Sequence, residues 1–290
     1  MKGPRFRSVL LGLPALLLIT GMAGFAGTSV LQGTAGAAPA PVNLVTNGSF
    51  EQTTAPTSRV STVFAGDSTT IPGWTVVTPS LYGATGGSVD LVANSYWNAE
   101  DGNYSIDLAG SSSEPGGIYQ DVPTTAGVQY SLSYWTAVNG DQALGQSHTM
   151  NIVVDGTIVA SIQALSAGRP LQWVERTTTV TATSSSTRIE FDDATPGDTT
   201  EGPALDNVSM TAIPDTLSAA PVTIAPQTTG SSFTASVATF TDSYLGSPAD
   251  FSDSIAWGDS STSAGTITQS GATFTVTGTH TYATPGTYAQ

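Results

Sequence analysis

Asn43-Leu44-Val45-Thr46-Asn47-Gly48-Ser49-Phe50-Glu51 opens a long block of the chain, and Ala204-Leu205-Asp206-Asn207-Val208-Ser209-Met210 closes it. Each stretch places carboxylate and amide side chains beside a short apolar run. This pairing is typical of the first and last strands of a β-sandwich, which meet along one edge. We therefore expect the two stretches to close a single β domain that spans residues 43–213.

Between these stretches, apolar and polar residues alternate in short runs bounded by turn residues, which predicts strands. The runs are Val89–Leu91, Tyr104–Leu108, Val128–Tyr134 and Arg188–Phe191. The clearest hairpin joins Met150–Val154 to Thr157–Ile162 through Asp155-Gly156, because Asp-Gly adopts the positive φ angles of a type I′ turn. No helical period of useful length follows the N-terminal segment, so the sequence predicts an all-β sandwich or jelly roll.

Composition restricts the function classes. The chain has 290 residues, 31 Gly and 17 Pro, only 10% of its residues are charged, and its formal net charge is −15. Phosphate binding requires a basic surface, so nucleic acid is excluded as an expected partner. An acidic surface suits divalent cations or simply solubility.

Residues 1–37 have the pattern of a signal peptide: a basic start, an apolar run from Val9 to Val30, and Ala35-Gly36-Ala37 as a cleavage site. The alternative is a membrane anchor, but repeated Gly residues interrupt the run. We expect a protein that is secreted, extracellular or at the cell surface, with no membrane insertion of the mature chain. Residues 38–42 are a spacer, and without Cys no disulfide is expected.

The first domain resembles the plant cell-wall family called domain of unknown function 642 and its bacterial relatives, the choice-of-anchor C proteins. The resemblance implies a galactose-binding-like jelly roll that recognises cell-wall or matrix carbohydrate. It rests on ordered short stretches, namely 43–51, 72–76, 88–92, 97–102, 105–110, 115–120, 127–130 and 202–208. The Cys residues usual in the plant members are missing, which places the chain nearer to the bacterial branch.

Residues 214–226 are rich in Pro, Ala and Thr and are interpreted as a linker or as a first extended strand. Residues 227–290 resemble a PKD-type immunoglobulin-like β-sandwich, through Trp257-Gly258-Asp259 and His280-Thr281-Tyr282. The chain ends two residues after Tyr288, where that family has another strand, so we expect a truncated domain.

The sequence contains no arrangement that predicts catalysis, so we expect a protein that is not an enzyme. His148 and His280 are the only histidines, and neither lies in a hydrolytic motif. Glu100-Asp101 and Asp192-Asp193 are adjacent acids, which are usually solvated turn formers. A glycosidase instead needs two carboxyl groups across a cleft.

Three aromatic residues are the predicted ligand-binding residues, because rings that lie in shallow grooves stack on sugars. Tyr96 and Trp97 lie in an Asn- and Gly-rich loop, where we expect them to be exposed. Trp135 shares the polar side of a predicted strand with Gln129, Ser131 and Ser133. The alternative for each of the three is core packing.

Glu51 and Asp206 are the predicted metal ligands. The resemblance to calcium-binding jelly-roll modules with the same Phe-Glu opening and Asp-Asn-Val ending implies that they hold a structural Ca²⁺ ion. Hard oxygen ligands from the two ends of the domain would then clamp its termini. In the alternative, backbone amides satisfy both carboxylates.

These observations lead to a functional hypothesis: a secreted or surface module that binds polysaccharide without turnover. A structural or adhesive stalk is the alternative. A secreted hydrolase comes third.

Overall fold

The computed structural model describes residues 42–55, 59–79, 86–110, 115–195, 200–214, 217–242 and 247–289, together with two short strands nearer the N-terminus. The described chain is all-β, with one 3-10 turn at Pro248–Asp250. It divides into two compact units, Ala38–Ile213 and Met1–Ala37 with Pro214–Gln290.

The strands are β1 Arg7–Val9, β2 Leu16–Leu18, β3 Val60–Phe64, β4 Thr75–Val77, β5 Ser88–Ala93, β6 Tyr104–Asp107, β7 Gly117–Pro123, β8 Gln129–Val138, β9 Ser147–Val154, β10 Thr157–Leu165, β11 Val174–Thr181, β12 Ser186–Asp193, β13 Pro203–Ala212, β14 Leu217–Pro221, β15 Phe233–Asp242, β16 Phe251–Asp253, β17 Ile255–Ala256, β18 Thr262–Ser263, β19 Thr266–Ser270, β20 Thr273–His280 and β21 Thr287–Ala289.

The unit Ala38–Ile213 is a jelly-roll sandwich of two antiparallel sheets. The five-stranded sheet has the order β10-β9-β12-β7-β4, and the six-stranded sheet has the order β11-β8-β13-β6-β5-β3. Inward-facing residues of both sheets form one apolar core, in which Trp74, Tyr134 and Phe191 are fully buried. The predicted all-β jelly-roll fold is confirmed.

The opening and closing stretches of this unit meet, as the sequence predicts. The Leu44 N–H donates to the Met210 carbonyl at 2.9 Å, and the Met210 N–H donates to Asn43 Oδ1 at 3.0 Å. Gly48 lies so close to β13 that a Cβ there would be 1.9 Å from the Val208 carbonyl oxygen, so no other residue fits. The two ends of the domain are thus bonded to each other.

The predicted hairpin is also confirmed. Strands β9 and β10 pair antiparallel, and Asp155 and Gly156 between them have φ angles of 48° and 78°. The Asp155 carboxylate accepts a hydrogen bond from the Arg188 backbone N–H at 2.8 Å. This bond ties the turn to β12, so the turn is part of the five-stranded sheet.

The second unit contains a four-stranded sheet of order β14-β15-β20-β19, and a separate apolar core surrounds Trp257. The interpretation of residues 214–226 as a linker is wrong for Leu217–Pro221, because these residues pair with β15. Ile224 is buried as well, so this segment belongs to the sheet and its core. The alternative, a first strand, describes it correctly.

His280 has a packing role in the second unit. Its ring stacks on Trp257 with 4.7 Å between centroids, and its Nε2 lies 2.9 Å from Asp259 Oδ2. The PKD-type resemblance stays a prediction.

The predicted signal peptide, residues 1–37, lies outside the described residues except for β1 and β2, which pair with β16 and β21. Of the predicted spacer only Val42 is described. Within the described part of the chain, no helix is long and apolar enough to cross a membrane.

Candidate functional site

The outward side of the five-stranded sheet carries a continuous set of polar side chains on its central strands. Tyr119 of β7 pairs with Glu190 of β12, and Asp192 of β12 pairs with Asn151 of β9. The next outward residue of β12 is Arg188. We call this set, Tyr119, Asn151, Arg188, Glu190 and Asp192, the polar face.

Arg188 and Tyr119 form a flat platform on the polar face. The guanidinium carbon of Arg188 lies 3.7 Å from the centroid of the Tyr119 ring. Two hydrogen bonds of 2.8 and 2.9 Å join the guanidinium to the Asp121 carboxylate, and they lower the pKa of Asp121. A guanidinium stacked on a ring and held by a carboxylate loses little further entropy when a ligand binds over it.

Glu190 and Asp192 supply two adjacent carboxyl groups beside this platform. Asp192 is 3% exposed, and burial, together with the neighbouring Glu190, raises its pKa to about 8. At neutral pH Asp192 is therefore mainly protonated. Its Oδ1 is buried without a hydrogen-bond partner.

Gly117 makes room for the Asp192 carboxyl group. A Cβ at Gly117 would lie 2.3 Å from Asp192 Oδ1, so a larger residue there would displace it. The expectation that Asp192 and Asp193 form a solvated turn is wrong, because both end strand β12 and both are buried.

The hydrogen bond between Asp192 and Glu190 bears on catalysis. Glycosidases need two carboxyl groups about 5–9.5 Å apart on opposite sides of the scissile bond. Glu190 and Asp192 lie two residues apart on one strand and on the same side of the sheet, so they do not face each other across a cleft. The half-buried Glu190 can, however, accept hydrogen bonds from sugar hydroxyl groups.

The outward side of the six-stranded sheet is covered by two loops, 94–103 and 166–173. Trp97 packs here against Val92, Ala137, Leu171 and Ala204. It is 3% exposed, and its indole N–H donates to the Ser105 hydroxyl at 2.8 Å. The expectation that Trp97 is exposed is wrong, because loop 166–173 contributes Leu171 to a small core over the ring. We call this side of the sheet the covered face.

Side-chain and backbone hydrogen bonds lock the two loops together. Asn98 accepts from the Leu171 N–H at 2.6 Å and donates to the Leu171 carbonyl at 3.1 Å. The indole N–H of Trp173 donates to the Asn98 carbonyl at 2.9 Å. Because the side-chain amide and the backbone carbonyl of Asn98 both bond to loop 166–173, loop 94–103 is held in place over the sheet.

Tyr96 is half-buried at the margin of the covered face. Its ring lies 6.0 Å from that of Trp97, and its hydroxyl donates to Asp141. Arg59 and Arg169 both approach the ring, at 4.7 and 4.0 Å from its centroid. The structure thus brings Tyr96 and Trp97 together, but two guanidinium groups occupy the position where a sugar would stack on Tyr96.

Trp135 is half-buried on β8, where its register partners are Glu175 on β11 and Asp206 on β13. It is not among the residues of the small core around Trp97. Its role as a ligand-binding residue stays a prediction.

Glu51 and Asp206 both bind the same loop, residues 100–104. Glu51 accepts hydrogen bonds from the backbone N–H groups of Asn103 and Tyr104 at 2.6 and 2.8 Å. Asp206 accepts from the N–H groups of Glu100 and Asp101 at 2.8 and 3.1 Å. The two predicted metal ligands therefore flank one segment, and backbone amides hold each of them.

Whether these two residues fit Ca²⁺ depends on the oxygen atoms that remain. One oxygen of each carboxylate, Oε2 of Glu51 and Oδ1 of Asp206, accepts a single hydrogen bond from the described residues, which leaves a lone pair for a cation. Burial raises the pKa of Asp206 to about 7, which a bound cation would reverse. Among the described residues no group of three or more acidic, His or Cys side chains is arranged to hold a metal. Carbonyl oxygens would have to complete the set, and the calcium ion stays a prediction.

Sequence reasoning missed the polar face. The sequence predicts Arg188–Phe191 as an alternating strand. Alternation shows that Arg188 and Glu190 point away from the core, but it does not show which outward face remains uncovered. The polar character of three successive outward positions, residues 188, 190 and 192, is the signal that was available.

Parts of this chain resemble known proteins. Halomucin from Haloquadratum walsbyi (strain DSM 16790 / HBSQ001) is 34% identical over 213 residues, which are 72% of this chain and 2% of halomucin. The chain thus spans a small fraction of the length of this relative.

Solved structures with a similar fold include TmCBM61 in complex with β-1,4-galactotriose (15% identity, 59% of this chain and 99% of that chain, TM-score 0.33). Another is a family 35 carbohydrate-binding module from Clostridium thermocellum (16%, 52% and 97%, TM-score 0.33). A third is a cyclase from Fischerella sp. TAU (16%, 60% and 98%, TM-score 0.41). Likenesses at these scores carry no argument about the function of this chain.

The family comparison covers both the closing strands and the polar face. The model described as "Protein of unknown function (DUF642)" matches residues 43–211, which is more than half of the chain. This match does not distinguish the choice-of-anchor C proteins from other members, so the resemblance to them stays a prediction. The chain belongs to the DUF642 family.

Proposed function

We propose that residues 43–213 form a non-catalytic carbohydrate-binding module whose polar face binds an extracellular or cell-wall polysaccharide. The protein that carries this module is secreted or held at the cell surface, and a structural Ca²⁺ ion at Glu51 and Asp206 supports the module. The single observation that carries the proposal is the Tyr119–Arg188 platform beside the carboxyl groups of Glu190 and Asp192.

The chemistry of the polar face suits a sugar. A sugar ring has an apolar C–H side, which packs on flat groups, and hydroxyl groups, which need both donors and acceptors. Arg188 and Tyr119 provide the flat group. The half-buried Glu190 provides an acceptor, and the N–H groups of Arg188, whose side chain is 41% exposed, provide donors.

A glycan array with the full chain tests the proposal. We expect retention on at least one polysaccharide, with no release of reducing ends over time. Tyr119→Ala removes the platform and is expected to weaken binding about tenfold, equivalent to about 1.4 kcal/mol. Glu190→Gln removes the charged acceptor and should weaken binding while the fold is retained.

Trp135→Ala is the matched control, because it removes a larger aromatic ring from the other sheet. Equal losses in Tyr119→Ala and Trp135→Ala would mean that the polar face is not the site. A wild-type chain that binds nothing on a broad array would replace the proposal with the structural stalk. Release of reducing ends by the wild-type chain but not by Glu190→Gln would replace it with a hydrolase.

A further inference from the structure

A cavity of about 320 Å³ opens at the edge of the sandwich, away from the core. Its walls come from the ends of β8 and β10, the start of β11, and loop 166–173. Strands β10 and β11 are the edge strands of the two sheets, so the cavity lies where the sheets part. Its volume is at the lower end of the range of small-ligand sites, about 300–1000 Å³, and is sufficient for one sugar residue.

Arg176 lines this cavity and lacks a partner for its charge. It pairs in register with Tyr134, whose side chain is in the core, so Arg176 points to the inner side of its sheet. Its Nε is buried without a hydrogen-bond partner, and Arg176 makes no hydrogen bond or ion pair with the described residues. A buried N–H of a charged group that has no partner is unfavourable, so a ligand acceptor that reaches it would be bound.

The other arginine residues of the jelly-roll unit differ from Arg176 in this respect. Arg188 bonds to Asp121, and Arg169 bonds to Asp141. Arg59 lies over the Tyr96 ring. The chain has a net charge of −15, yet no carboxylate among the described residues forms an ion pair with Arg176, so its guanidinium is available to an anion from outside.

The remaining lining residues fit the rest of a sugar. Gln163, Gln172 and Thr136 contribute amide and hydroxyl groups, and no acidic side chain is among the described residues that line the cavity. Leu165 and Val174 at its margin are 64% and 44% exposed, and they offer an apolar surface to sugar C–H groups. Carboxylates and sulfate groups match the planar fork of a guanidinium with two parallel hydrogen bonds.

We propose that this cavity is a second binding site, which takes an anionic sugar through its carboxylate or sulfate group and uses Arg176 as the counter-ion. That the sugar is part of a polysaccharide rests on the proposed function of the polar face. The anion site itself does not. Strand β10 contributes to the cavity and also belongs to the sheet of the polar face, so one acidic polysaccharide can occupy both.

Titrations with single sugars, followed by NMR on the full chain, test the anion site directly. The probes are galactose, galacturonate and galactose 6-sulfate, with their glucose counterparts, because within each series only the anionic group changes. We expect the acidic sugars to bind about tenfold more tightly than the neutral sugar, since a charged hydrogen bond contributes about 1.5–3 kcal/mol. Shifts of the Gln163, Gln172 and Val174 amides should report the site. The carboxylate and sulfate series then distinguish the two sources of the charge.

Arg176→Gln is expected to abolish the preference for the acidic sugars. Arg176→Lys should keep part of the preference, because Lys retains the positive charge but lacks the two parallel N–H donors of the guanidinium. Arg59→Gln is the matched control: it removes the same charge from a residue that does not line the cavity, and the preference should persist. Equal binding of neutral and acidic sugars by the wild-type chain would overturn the inference. So would amide shifts confined to the polar face.

The two proposals fail separately. If Tyr119→Ala loses polysaccharide but keeps the shifts with galacturonate at the cavity, both stand. If the wild-type chain binds no polysaccharide yet shows those shifts, the proposed function fails and the anion site stands. Should Arg176→Gln unfold, the wild-type shift map and Arg176→Lys still decide.

Discussion

The two outward faces of this sandwich are formed by the same kind of alternating sequence, but loops cover the aromatic residue Trp97 on one face and leave Tyr119 half-buried on the other. On the five-stranded sheet, Tyr119 and Arg188 lie against each other with polar groups beside them. On the six-stranded sheet, Trp97 lies in a small core beneath loop 166–173. The comparison shows that an outward-facing aromatic residue is available to a ligand only if no other segment of the chain covers it.

The largest expected effect comes from Trp97→Ala. Because Trp97 is 3% exposed and packs in its own core, its removal should lower the free energy of unfolding by about 3–5 kcal/mol. Urea denaturation measures this loss. Tyr119→Ala, at a half-buried site on the other sheet, should lower it much less. If Trp97→Ala kept wild-type stability and lost glycan binding, the covered face would be the binding site and our comparison would be reversed.

The next effect tests whether Glu51 and Asp206 hold a calcium ion. If Glu51 and Asp206 hold Ca²⁺, then Ca²⁺ at about 100 times Kd should add about 2.7 kcal/mol to the stability, and a chelator should remove it. Glu51→Gln should abolish this gain, whereas Glu190→Gln on the polar face should keep it. A melting temperature that ignores the chelator in wild type and Glu51→Gln alike would leave the backbone amides as the only partners of these carboxylates.

A smaller effect for each pH unit is expected when the pH is changed, measured in chelator. The pKa of Asp192 in the folded state is about 8, above its ordinary value of 3.8, so the folded state keeps a proton that the unfolded state has released. Stability from this group is therefore fully present below about pH 4 and is lost as the pH rises towards 8, by up to about 1.4 kcal/mol per pH unit. Asp206 acts in the same direction.

Asp192→Asn should reduce this slope, because Asn mimics the protonated acid at every pH. Asp121→Asn is the control: its hydrogen bonds to Arg188 lower the pKa of Asp121, so its titration lies below the window. Thermal unfolding between pH 5 and 8 compares the three proteins. An unchanged slope in Asp192→Asn would mean that Asp192 is charged on the polar face.

The smallest effect is expected at Trp135. Its ring is half-buried and lies outside the core around Trp97, so Trp135→Ala should change the free energy of unfolding by no more than about 1 kcal/mol. Glycan binding should not change. A loss of binding at wild-type stability would return Trp135 to the site, as the sequence alone predicts.

Local and end-to-end features were predictable from the sequence because they depend on few residues. The Asp155-Gly156 hairpin follows from the backbone preferences of two residues. The meeting of residues 43–51 with β13 follows from two matching polar and apolar stretches, one at each end of the domain. The same stretches placed Glu51 and Asp206 beside one loop.

What only the tertiary structure decided is which surfaces stay exposed. Asn98 and Leu171 are 73 positions apart in the sequence, and the hydrogen bond between them holds the loop that buries Trp97. The residues next to Trp97 in the sequence do not predict this burial. In the same way, Gly117 on β7 leaves space for the Asp192 carboxyl group of β12, and this carboxyl group is buried. Burial raises the pKa of Asp192, whereas adjacent acids in a solvated turn would keep ordinary pKa values. Alternation is a local property of a strand and determines the side on which a residue lies. Exposure and charge state depend on segments that meet only after folding, so the polar face and the Arg176 cavity had to be found in the structure.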